Sequence, residues 1–361
     1  MKICLLTDFH FGVRGDSKEF LKYQESFFNE KLFPYLKEND ITQIISLGDE
    51  FDSRKNINYH TLHQAKKMFF DRIEQEGYEL YIIIGNHNIF HRNENEINSP
   101  KLLFHHYQHI HIIEDPTTLT FDKTELMLVP WINKNNSEEI LEAIQNTTAS
   151  YLLGHFEVSG VKLHKDWSFA DGLHYDLLKK FKQVWSGHYH LKLKIGNFKY
   201  LGTPYQLAWV DVNHEKGFYV FDTNNEKLSF VENPLKIYHV IEYNNNVNVD
   251  EFDYSVYENS YVRVVLNESI EGYNKFDLFI KRLEDSGAYD VKVDEKFFEN
   301  LTSSEESINS ADDLKNEETT LDTIKKRCQE MDFVDKEELF KFMEKNFLKS
   351  PAINSLPIFG T

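Results

Sequence analysis

The chain has 361 residues, of which 41% are hydrophobic and 27% are charged, the composition of a soluble globular protein with room for two or three domains. Two distant cysteines, Cys4 and Cys328, exclude a disulfide framework and a thiolate metal site, and the apolar runs are too short to span a bilayer. The formal net charge of −19 argues against a basic nucleic-acid-binding surface. However, part of that charge lies in one short stretch, from Glu305 to Glu318, which holds six acidic residues and one lysine. Bound cations would also add positive charge to an acidic site.

The first 235 residues alternate between strand-like and helix-like segments. Apolar, β-rich runs predict strands over 2–6, 41–47, 80–84, 126–129, 150–153 and 184–185. Helical periodicity between the first three of these strands predicts helices over 20–36 and 59–75. Alternating strands and helices indicate a layered α/β architecture. Since the first strand begins at the first residue, we expect no signal peptide and a cytoplasmic protein.

Metal-binding residue types follow five of the predicted strands. The motifs are Asp8-Phe9-His10, Gly48-Asp49-Glu50-Phe51-Asp52, Gly85-Asn86-His87-Asn88, Gly154-His155 and Gly187-His188-Tyr189-His190. In open α/β sheets, ligands bind beyond the carboxyl ends of the strands, so one edge receives two carboxylates, one carboxamide and five imidazoles. A glycine before the ligand lets the backbone turn sharply and approach bound ions closely.

This set of ligands suits a pair of divalent cations. Imidazole and carboxylate without thiolate favour manganese, iron or zinc. A shared carboxylate can hold two ions about 3.5–4 Å apart, and such a pair acts on both sides of an in-line displacement at phosphorus. The motifs therefore predict a two-metal phosphoesterase. The run His105, His106, His109 and His111 has neither a glycine turn nor a strand end, so we interpret it as an exposed segment.

Together the five motifs resemble those of the calcineurin-like metallophosphoesterases. Within that superfamily the chain is most similar to the SbcD-type nucleases of double-strand-break repair and their bacteriophage relatives. Further matching segments are Val129-Pro130-Trp131, Trp185-Ser186 and Gly202-Thr203-Pro204-Tyr205. The resemblance covers the first 220 residues. It implies a central β-sandwich flanked by helices as the nuclease domain over 1–235, and a small α+β capping domain that binds DNA over 236–300.

The resemblance also implies ligands for two divalent cations, manganese in the first place and magnesium as the alternative. The residues that would hold the first ion are Asp8, His10 and His190. Those that would hold the second ion are Asn86, His155 and His188. Asp49 would bridge the two ions, and His87 would contact the scissile phosphate and protonate the leaving oxygen.

Asn88 departs from the family pattern, in which the third motif usually ends in aspartate. A carboxamide can accept a hydrogen bond from the His87 ring but offers no charge to stabilise imidazolium. Asp52 or Glu50 could supply that charge instead. The sequence thus predicts an intact metal site and leaves the acid step open. If the third-motif carboxylate matters, Asn88→Asp should raise the cleavage rate.

The C-terminal region predicts a binding element for a partner. An acidic linker over 301–319 precedes a helical motif over 320–350, whose second helix has Asp335 as its N-cap. Its expected partner-binding residues are Leu339, Phe340, Met343 and Phe347; a helix pair packed on its own chain is the alternative. In SbcD-like systems the partner is an SMC-like ABC ATPase of the SbcC type. The resemblance further implies a homodimer within a heterotetramer, no membrane, and the host cytoplasm if the chain is phage-encoded.

Three functions are compatible with these features. The favoured one is a manganese-dependent DNA exonuclease or endonuclease that acts on single-stranded DNA and duplex ends with an ATPase. A metallophosphatase or small-molecule phosphodiesterase would share the ligands but would not need the capping segment or the terminal helices. A non-catalytic DNA-end-binding scaffold is supported only by Asn88.

Overall fold

The computed structural model describes residues 1–160, 172–266 and 273–294, which belong to one compact unit from Met1 to Leu301. In chain order its strands are β1 Lys2–Leu6, β2 Gln43–Ser46, β3 Glu79–Ile83, β4 Ile110–Ile113, β5 Thr117–Phe121, β6 Thr124–Val129, β7 Tyr151–Gly154, β8 Val158–Ser159, β9 Leu173–His174, β10 Gln183–Ser186, β11 Leu193–Ile195, β12 Phe198–Tyr200, β13 Lys216–Asp222, β14 Lys227–Asn233, β15 Tyr238–Tyr243, β16 Tyr261–Leu266 and β17 Asp290–Asp294. Its α-helices are α1 Val13–Asp16, α2 Lys18–Phe27, α3 Phe33–Glu38, α4 Tyr59–Ala65, α5 Asp71–Glu76, α6 Ser99–Phe104, α7 Ser137–Asn146, α8 Tyr175–Leu178 and α9 Tyr273–Asp285. The predicted linker and terminal helices, with Leu339, Phe340, Met343 and Phe347, lie outside the described residues.

Two six-stranded sheets form the body of this unit. The first has the order β14-β13-β1-β2-β3-β4, in which β1 to β4 are parallel and β13 is antiparallel to both of its neighbours. The second has the order β11-β12-β10-β7-β6-β5, with antiparallel strands only at its two edges. The strands that carry the motifs are parallel within each sheet. Each sheet therefore delivers its motifs to one edge, as the sequence predicts.

The two sheets pack face to face, and helices cover both outer faces. Because side chains alternate along a strand, Ile3 and Leu5 of β1 point between the sheets, where they join Trp185 of β10. Cys4 and Leu6 point the other way, into the core beneath the helices. Strands buried on both faces read as continuous apolar runs, which is why the sequence shows them clearly. The layered α/β fold with a central β-sandwich is the observed one.

The two predicted long helices each contain a wider turn. Helix α2 begins after Ser17, whose hydroxyl accepts a hydrogen bond from the backbone N–H of Phe20 at 3.2 Å. It continues through a π-helical turn, Phe28–Leu32, into α3, where Pro34 has no N–H to donate to the preceding turn. A second π-helical turn, Lys66–Phe70, joins α4 to α5. These helices bury an aromatic layer beneath the first motif. In this layer the ring centroids of Phe9 and Phe69 lie 5.0 Å apart.

A smaller layer follows the sandwich in the chain. Strand β14 ends at Asn233, and β15 begins at Tyr238. The parallel strands β15, β16 and β17 form a three-stranded sheet with α9 between β16 and β17, and this layer has its own apolar core. It contacts the body through the Trp209–Tyr238 ring pair at 4.4 Å. Gln206 adds two hydrogen bonds, since its side-chain oxygen accepts from the backbone N–H groups of Ile237 and Tyr238 at 2.9 Å.

The histidine run differs from its prediction. His111 lies in β4, and only His105 and His106 are exposed. His109 and His111 each contact one carboxylate oxygen of Glu79, at 2.8 and 2.7 Å. The prediction of an exposed segment was therefore wrong for its second half, because the apolar run 110–113 is short and interrupted by an imidazole.

No helix in the described ranges is long and apolar enough to cross a bilayer.

Candidate metal centre

The loops after β1, β2, β3, β7 and β10 meet at one end of the sandwich. Backbone hydrogen bonds join the first two motifs, from Asp8 N–H to the Gly48 carbonyl at 2.9 Å and from His10 N–H to the Asp49 carbonyl at 3.0 Å. In the second sheet, the N–H of Gly187 donates to a carbonyl of β7 at 3.0 Å. The loops thus form a continuous hydrogen-bonded surface. These backbone bonds position the loops that carry the side chains.

Four side chains of this surface stand on left-handed backbone. Asp8, His10, Asp49 and His188 have φ values of 53°, 48°, 61° and 81°. Such conformations cost on the order of 1–3 kcal/mol each outside glycine and persist where surrounding structure enforces them. Aspartate and histidine tolerate this region better than most residues. This backbone conformation directs the side chains of neighbouring loops toward one another.

Glycines make room for neighbouring motifs at two positions. A Cβ on Gly85 would lie 2.2 Å from Oδ1 of Asp49, and a Cβ on Gly48 would lie 2.8 Å from the Gly85 backbone nitrogen. Gly48 also has φ of 101°, in the left-handed region. The glycines therefore let one ligand loop approach another, whereas the sequence predicted that they let the backbone approach an ion.

The first of two ligand clusters consists of Asp8, His10 and His190. Oδ1 of Asp8 lies 3.7 Å from Nε2 of His10 and 3.8 Å from Nε2 of His190, and the two imidazole nitrogens are 3.1 Å apart. These are the three residues expected to hold the first ion. A single position is therefore within reach of all three donor atoms.

The second cluster brings together Asn86, His155 and His188. Oδ1 of Asn86 lies 2.8 Å from Nε2 of His155 and 3.0 Å from Nδ1 of His188. Oδ2 of Asp49 lies 3.1 Å from Nε2 of His155 and 4.0 Å from Nε2 of His10, so this carboxylate stands between the two clusters. Asp8, Asp49 and His155 also form a possible ligand group of their own. All seven residues expected to hold metal are thus adjacent.

The hydrogen bonds of His155 suit a cation at the second cluster. Its Nδ1 lies 2.7 Å from the carbonyl oxygen of Leu47, which can only accept, so Nδ1 carries the hydrogen. In the neutral ring, Nε2 then presents a lone pair to the oxygens of Asn86 and Asp49. A lone pair facing two oxygen atoms is stable only with a proton or a cation between them. The donor set therefore fits a divalent metal ion.

The first cluster has a related arrangement. Nδ1 of His10 lies 3.3 Å from an oxygen of the Asp52 carboxylate, close enough for an ion pair but without the geometry of a hydrogen bond. The remaining nitrogen, Nε2, faces Nε2 of His190. Metal-binding histidines commonly donate their outer N–H to a carboxylate or a carbonyl in this way, which fixes the tautomer and the ring orientation. His155 shows that arrangement, and His10 has a carboxylate beside its outer nitrogen.

The electrostatics of the chain alone place protons where ions would bind. Burial alone would raise the pKa of Asp8, but the adjacent imidazoles of His10, His155 and His190 lower it to about 2. Burial alone would raise the pKa of Asp49, but the combined attraction of His155, His87 and His10 holds it well below its usual range. The carboxylates in turn outweigh burial and raise the pKa of His155 to about 9. Burial and the charge of His10 lower the pKa of His190 to about 4. Metal binding must therefore release protons.

His87 stands beside the ligand clusters. Its backbone N–H donates to Oδ1 of Asp49 at 2.8 Å, and its ring packs edge-on against His10 at 4.9 Å. Its Nδ1 lies 2.5 Å from the backbone carbonyl oxygen of Asp52, so Nδ1 carries a hydrogen. Its Nε2 is left to act on a substrate. This placement is compatible with the predicted role as a general acid.

Asn88 occupies a different place from the one expected. Its side-chain oxygen accepts from the backbone N–H groups of Gly85 and Asp49 at 2.7 and 2.9 Å, and its nitrogen donates to Oε2 of Glu50 at 2.8 Å. The amide is thus a buried link between loops, and its oxygen is used on backbone rather than on the His87 ring. Of the two carboxylates considered as substitutes, Asp52 supports His10 through its side chain, and Glu50 binds Asn88. Burial raises the pKa of Glu50 to about 7.

Sequence reasoning missed three residues of the site. Oε1 of Glu157 lies 3.3 Å from Nε2 of His188, and the Trp131 ring packs against those of His155 and His188 at 6.0 and 5.1 Å. Thr7 donates to Oδ2 of Asp8 at 2.5 Å. Thr7 and Glu157 lie within two residues of predicted ligands, which was the available signal. Trp131 ends a segment that was noted only for its resemblance.

The fold and the centre define the class of the protein, a metallophosphoesterase with a layered α/β fold. Exonuclease subunit 1 of Enterobacteria phage T4 is 33% identical over 294 residues, which are 81% of this chain and 85% of that protein. The D subunit of the nuclease SbcCD from Staphylococcus epidermidis is 23% identical over 280 residues, 67% and 72% of the two chains. A solved archaeal phosphodiesterase is 8% identical, with a TM-score of 0.31 over 64% of this chain and 99% of that one. No protein-family model matches the chain.

The chain belongs to the SbcD-type nucleases within the calcineurin-like metallophosphoesterases. Identity of one third across four fifths of the sequence carries this assignment.

Proposed function

We propose that the chain is the nuclease component of a recombination and repair complex, and that it hydrolyses DNA phosphodiester bonds with two manganese ions. The observation that carries the proposal is the position of Asp49, whose carboxylate stands 3.1 Å from a nitrogen of one ligand cluster and 4.0 Å from a nitrogen of the other. One shared carboxylate between two sets of nitrogen and oxygen donors suits a pair of ions. The names of the phage and bacterial relatives support a nuclease.

Asp8, His10 and His190 would hold one ion, and Asn86, His155 and His188 the other, with Asp49 shared. Bound divalent ions would lower the pKa of a water molecule and offset charge on the phosphoryl oxygens.

His87 supplies the proton in this proposal. Its Nδ1–H is held by the Asp52 carbonyl, so the ring is oriented and Nε2 can face the leaving oxygen of a bound phosphodiester. In the imidazolium form Nε2 carries the hydrogen that the leaving group takes up.

The remaining segments have proposed roles in recognition. We assign residues 1–235 to the nuclease domain, 236–300 to a capping domain that contacts DNA, 301–319 to an acidic linker, and 320–350 to a motif that binds an SMC-like ABC ATPase. The compact layer of β15 to β17 and α9, with its own core, supports a separate cap. Both relatives are named as one subunit among several, which supports a partner.

The test is a comparison of three substrates with the purified full chain. With manganese present, we expect cleavage of single-stranded DNA and of duplex ends, and little release of phosphate from a phosphomonoester. Magnesium, zinc and iron(II) are tested in parallel after chelator treatment. Preferential hydrolysis of the phosphomonoester would replace the nuclease proposal with a phosphatase. DNA-end binding without hydrolysis under any metal would indicate a scaffold.

A further inference from the structure

A buried hydrogen-bonded pair, Glu50 and Asn88, lies directly behind the candidate metal centre. Both side chains are at most 1% exposed, so water cannot substitute for a missing partner. Oε1 of Glu50 accepts from the Ser46 hydroxyl at 2.5 Å, and Oε2 accepts from Nδ2 of Asn88 at 2.8 Å. The carboxylate is therefore satisfied by two donors, one from β2 and one from the loop after β3. Neither residue has a role in the proposed hydrolysis.

Asn88 connects this carboxylate to the backbone of both ligand loops. Its oxygen accepts from Asp49 N–H and from Gly85 N–H. These bonds fix the residue proposed as the bridging ligand and the glycine that precedes the proposed ligand Asn86. One amide thus sets the distance between the loop of the proposed shared ligand and the loop of a ligand to the second ion.

We propose that Asn88 and Glu50 are a matched donor–acceptor pair that positions Asp49 and Asn86 for metal binding, and that aspartate at position 88 is incompatible with glutamate at position 50. The inference rests on the proposed metal centre. Asn88 is then a positioning residue for the ion site, and its difference from the family pattern does not reduce support for His87.

The donor and acceptor count shows why the pair must change together. In Asn88→Asp, one carboxylate oxygen keeps the two backbone bonds, while the other replaces the amide nitrogen that now lies 2.8 Å from Glu50, so two buried carboxyl groups face each other without the amide hydrogens. Repulsion then separates the two side chains unless one of them takes up a proton. A buried acceptor facing another acceptor loses its bond and is not compensated by water. In the double variant, Glu50→Gln supplies a donor to the aspartate and keeps an oxygen for the Ser46 hydroxyl. The hydrogen bond is restored with its direction reversed.

The experiment compares four full-length chains: wild type, N88D, E50Q and N88D/E50Q. Manganese affinity and stoichiometry are measured by titration calorimetry, and melting temperature is measured in chelator. We expect N88D to bind manganese roughly 10–100-fold more weakly, the range for removal of a group that orients a ligand. The manganese affinity of E50Q should fall a few-fold at most, because the Ser46 hydroxyl can donate or accept a hydrogen bond. The manganese affinity of the double variant should return to within a few-fold of that of E50Q.

A matched pair elsewhere in the chain separates positioning from general stability. Asn98 is also buried, and its Nδ2 donates to Oε1 of Glu114 at 2.9 Å, while its oxygen caps α6 through the Lys101 N–H. N98D should lower the melting temperature and E114Q should partly restore it. Neither change should alter manganese affinity. Loss of manganese affinity in N98D equal to that in N88D would contradict a local role for the Asn88 pair.

Two results would overturn the proposal: wild-type manganese affinity in N88D, or a double variant that binds as weakly as N88D. If N88D does not fold, the double variant must fold and bind, and its failure counts against the pair. Failure of the wild type itself to bind manganese would refute the proposed function instead. The pair would then be judged by melting temperature in chelator, where rescue of N88D by E50Q is still expected.

Discussion

Replacing Asp49 with asparagine tests the central feature of the candidate site. The substitution keeps the shape of the side chain and removes its charge. Asp49 is buried, and its two oxygens contact His155 and the backbone of His87. Because this carboxylate stands between both ligand clusters, we expect D49N to impair both ions rather than one.

The magnitude follows from linkage between binding and folding. At a free manganese concentration of about 100 times Kd, each ion adds about 2.7 kcal/mol to the free energy of unfolding. In a large domain, each kcal/mol corresponds to roughly 2–4 °C in Tm, so two ions should raise the Tm of the wild type by roughly 10–20 °C. In D49N this rise should be close to zero, and hydrolysis should be lost with it.

The pH dependence provides a second readout of the same carboxylate. Attraction by Asp49 is the largest contribution that raises the pKa of His155, which reaches about 9 despite burial. In the metal-free chain, a raised pKa stabilises the fold fully below the unfolded value of about 6.5, and this stability is lost as pH rises through about 9. Since an ion must displace that proton, manganese affinity should increase over the same interval. In D49N the His155 pKa, followed by NMR, should fall.

The control is Glu79→Gln. Glu79 also contacts two histidines, at 2.7 and 2.8 Å, but away from the ligand clusters. It should leave the manganese-dependent rise in Tm intact. Two tightly bound manganese ions in D49N, or an equal loss in E79Q, would refute the reasoning.

Three further changes test the surroundings of the site. Glu157→Gln removes the carboxylate that lies 3.3 Å from Nε2 of His188. It should weaken the binding of one ion roughly 10–100-fold, which calorimetry would show as one weakened and one unchanged site. Lys216→Met breaks a buried ion pair with Asp211 at 2.5 Å and should cost about 3–5 kcal/mol in urea unfolding at pH 7. Although burial alone would raise it, Lys216 lowers the pKa of Asp211, so this contribution is full above about pH 3.9 and is lost as pH falls further. Replacing Phe340 and Phe347 with serine should abolish association with the ATPase and leave manganese binding unchanged; a lower Tm of the isolated chain with association retained would contradict the partner-binding role.

The sheets could be predicted from the sequence because their strands are buried on both faces. The continuous apolar runs at 2–6 and 80–84 match strands Lys2–Leu6 and Glu79–Ile83 to within one residue. Within the first run, Ile3 and Cys4 point into different cores, and both cores are apolar. Sheet order was not accessible, because β13 returns to lie beside β1 from more than 200 residues away. No local pattern encodes such a pairing.

The candidate site was predictable as a set of residues and not as a set of contacts. Strand-end position identified all seven proposed ligands, since the carboxyl ends of parallel strands converge. The partners of those ligands come from other loops. Glu157 contacts His188 across 31 positions of the chain, and Asn88 contacts Glu50 across 38. The Asn88 amide contacts Glu50 and two backbone N–H groups rather than the His87 ring, and only the fold reveals these neighbours.

The structure also accounts for the acidic composition of a chain proposed to act on DNA. The net charge of −19 belongs to the whole molecule, whereas a phosphodiester responds to the charge where it binds. The proposed ligands contain two carboxylates, Asp8 and Asp49, and otherwise neutral donors. With two divalent ions in place, the centre would carry a charge of about +2, and the centre attracts phosphate only in that state. Under the proposed function, metal binding would control substrate binding as well as hydrolysis. We accordingly expect the chelated chain to have little affinity for single-stranded DNA at low ionic strength, and manganese to restore it in the wild type and not in D49N.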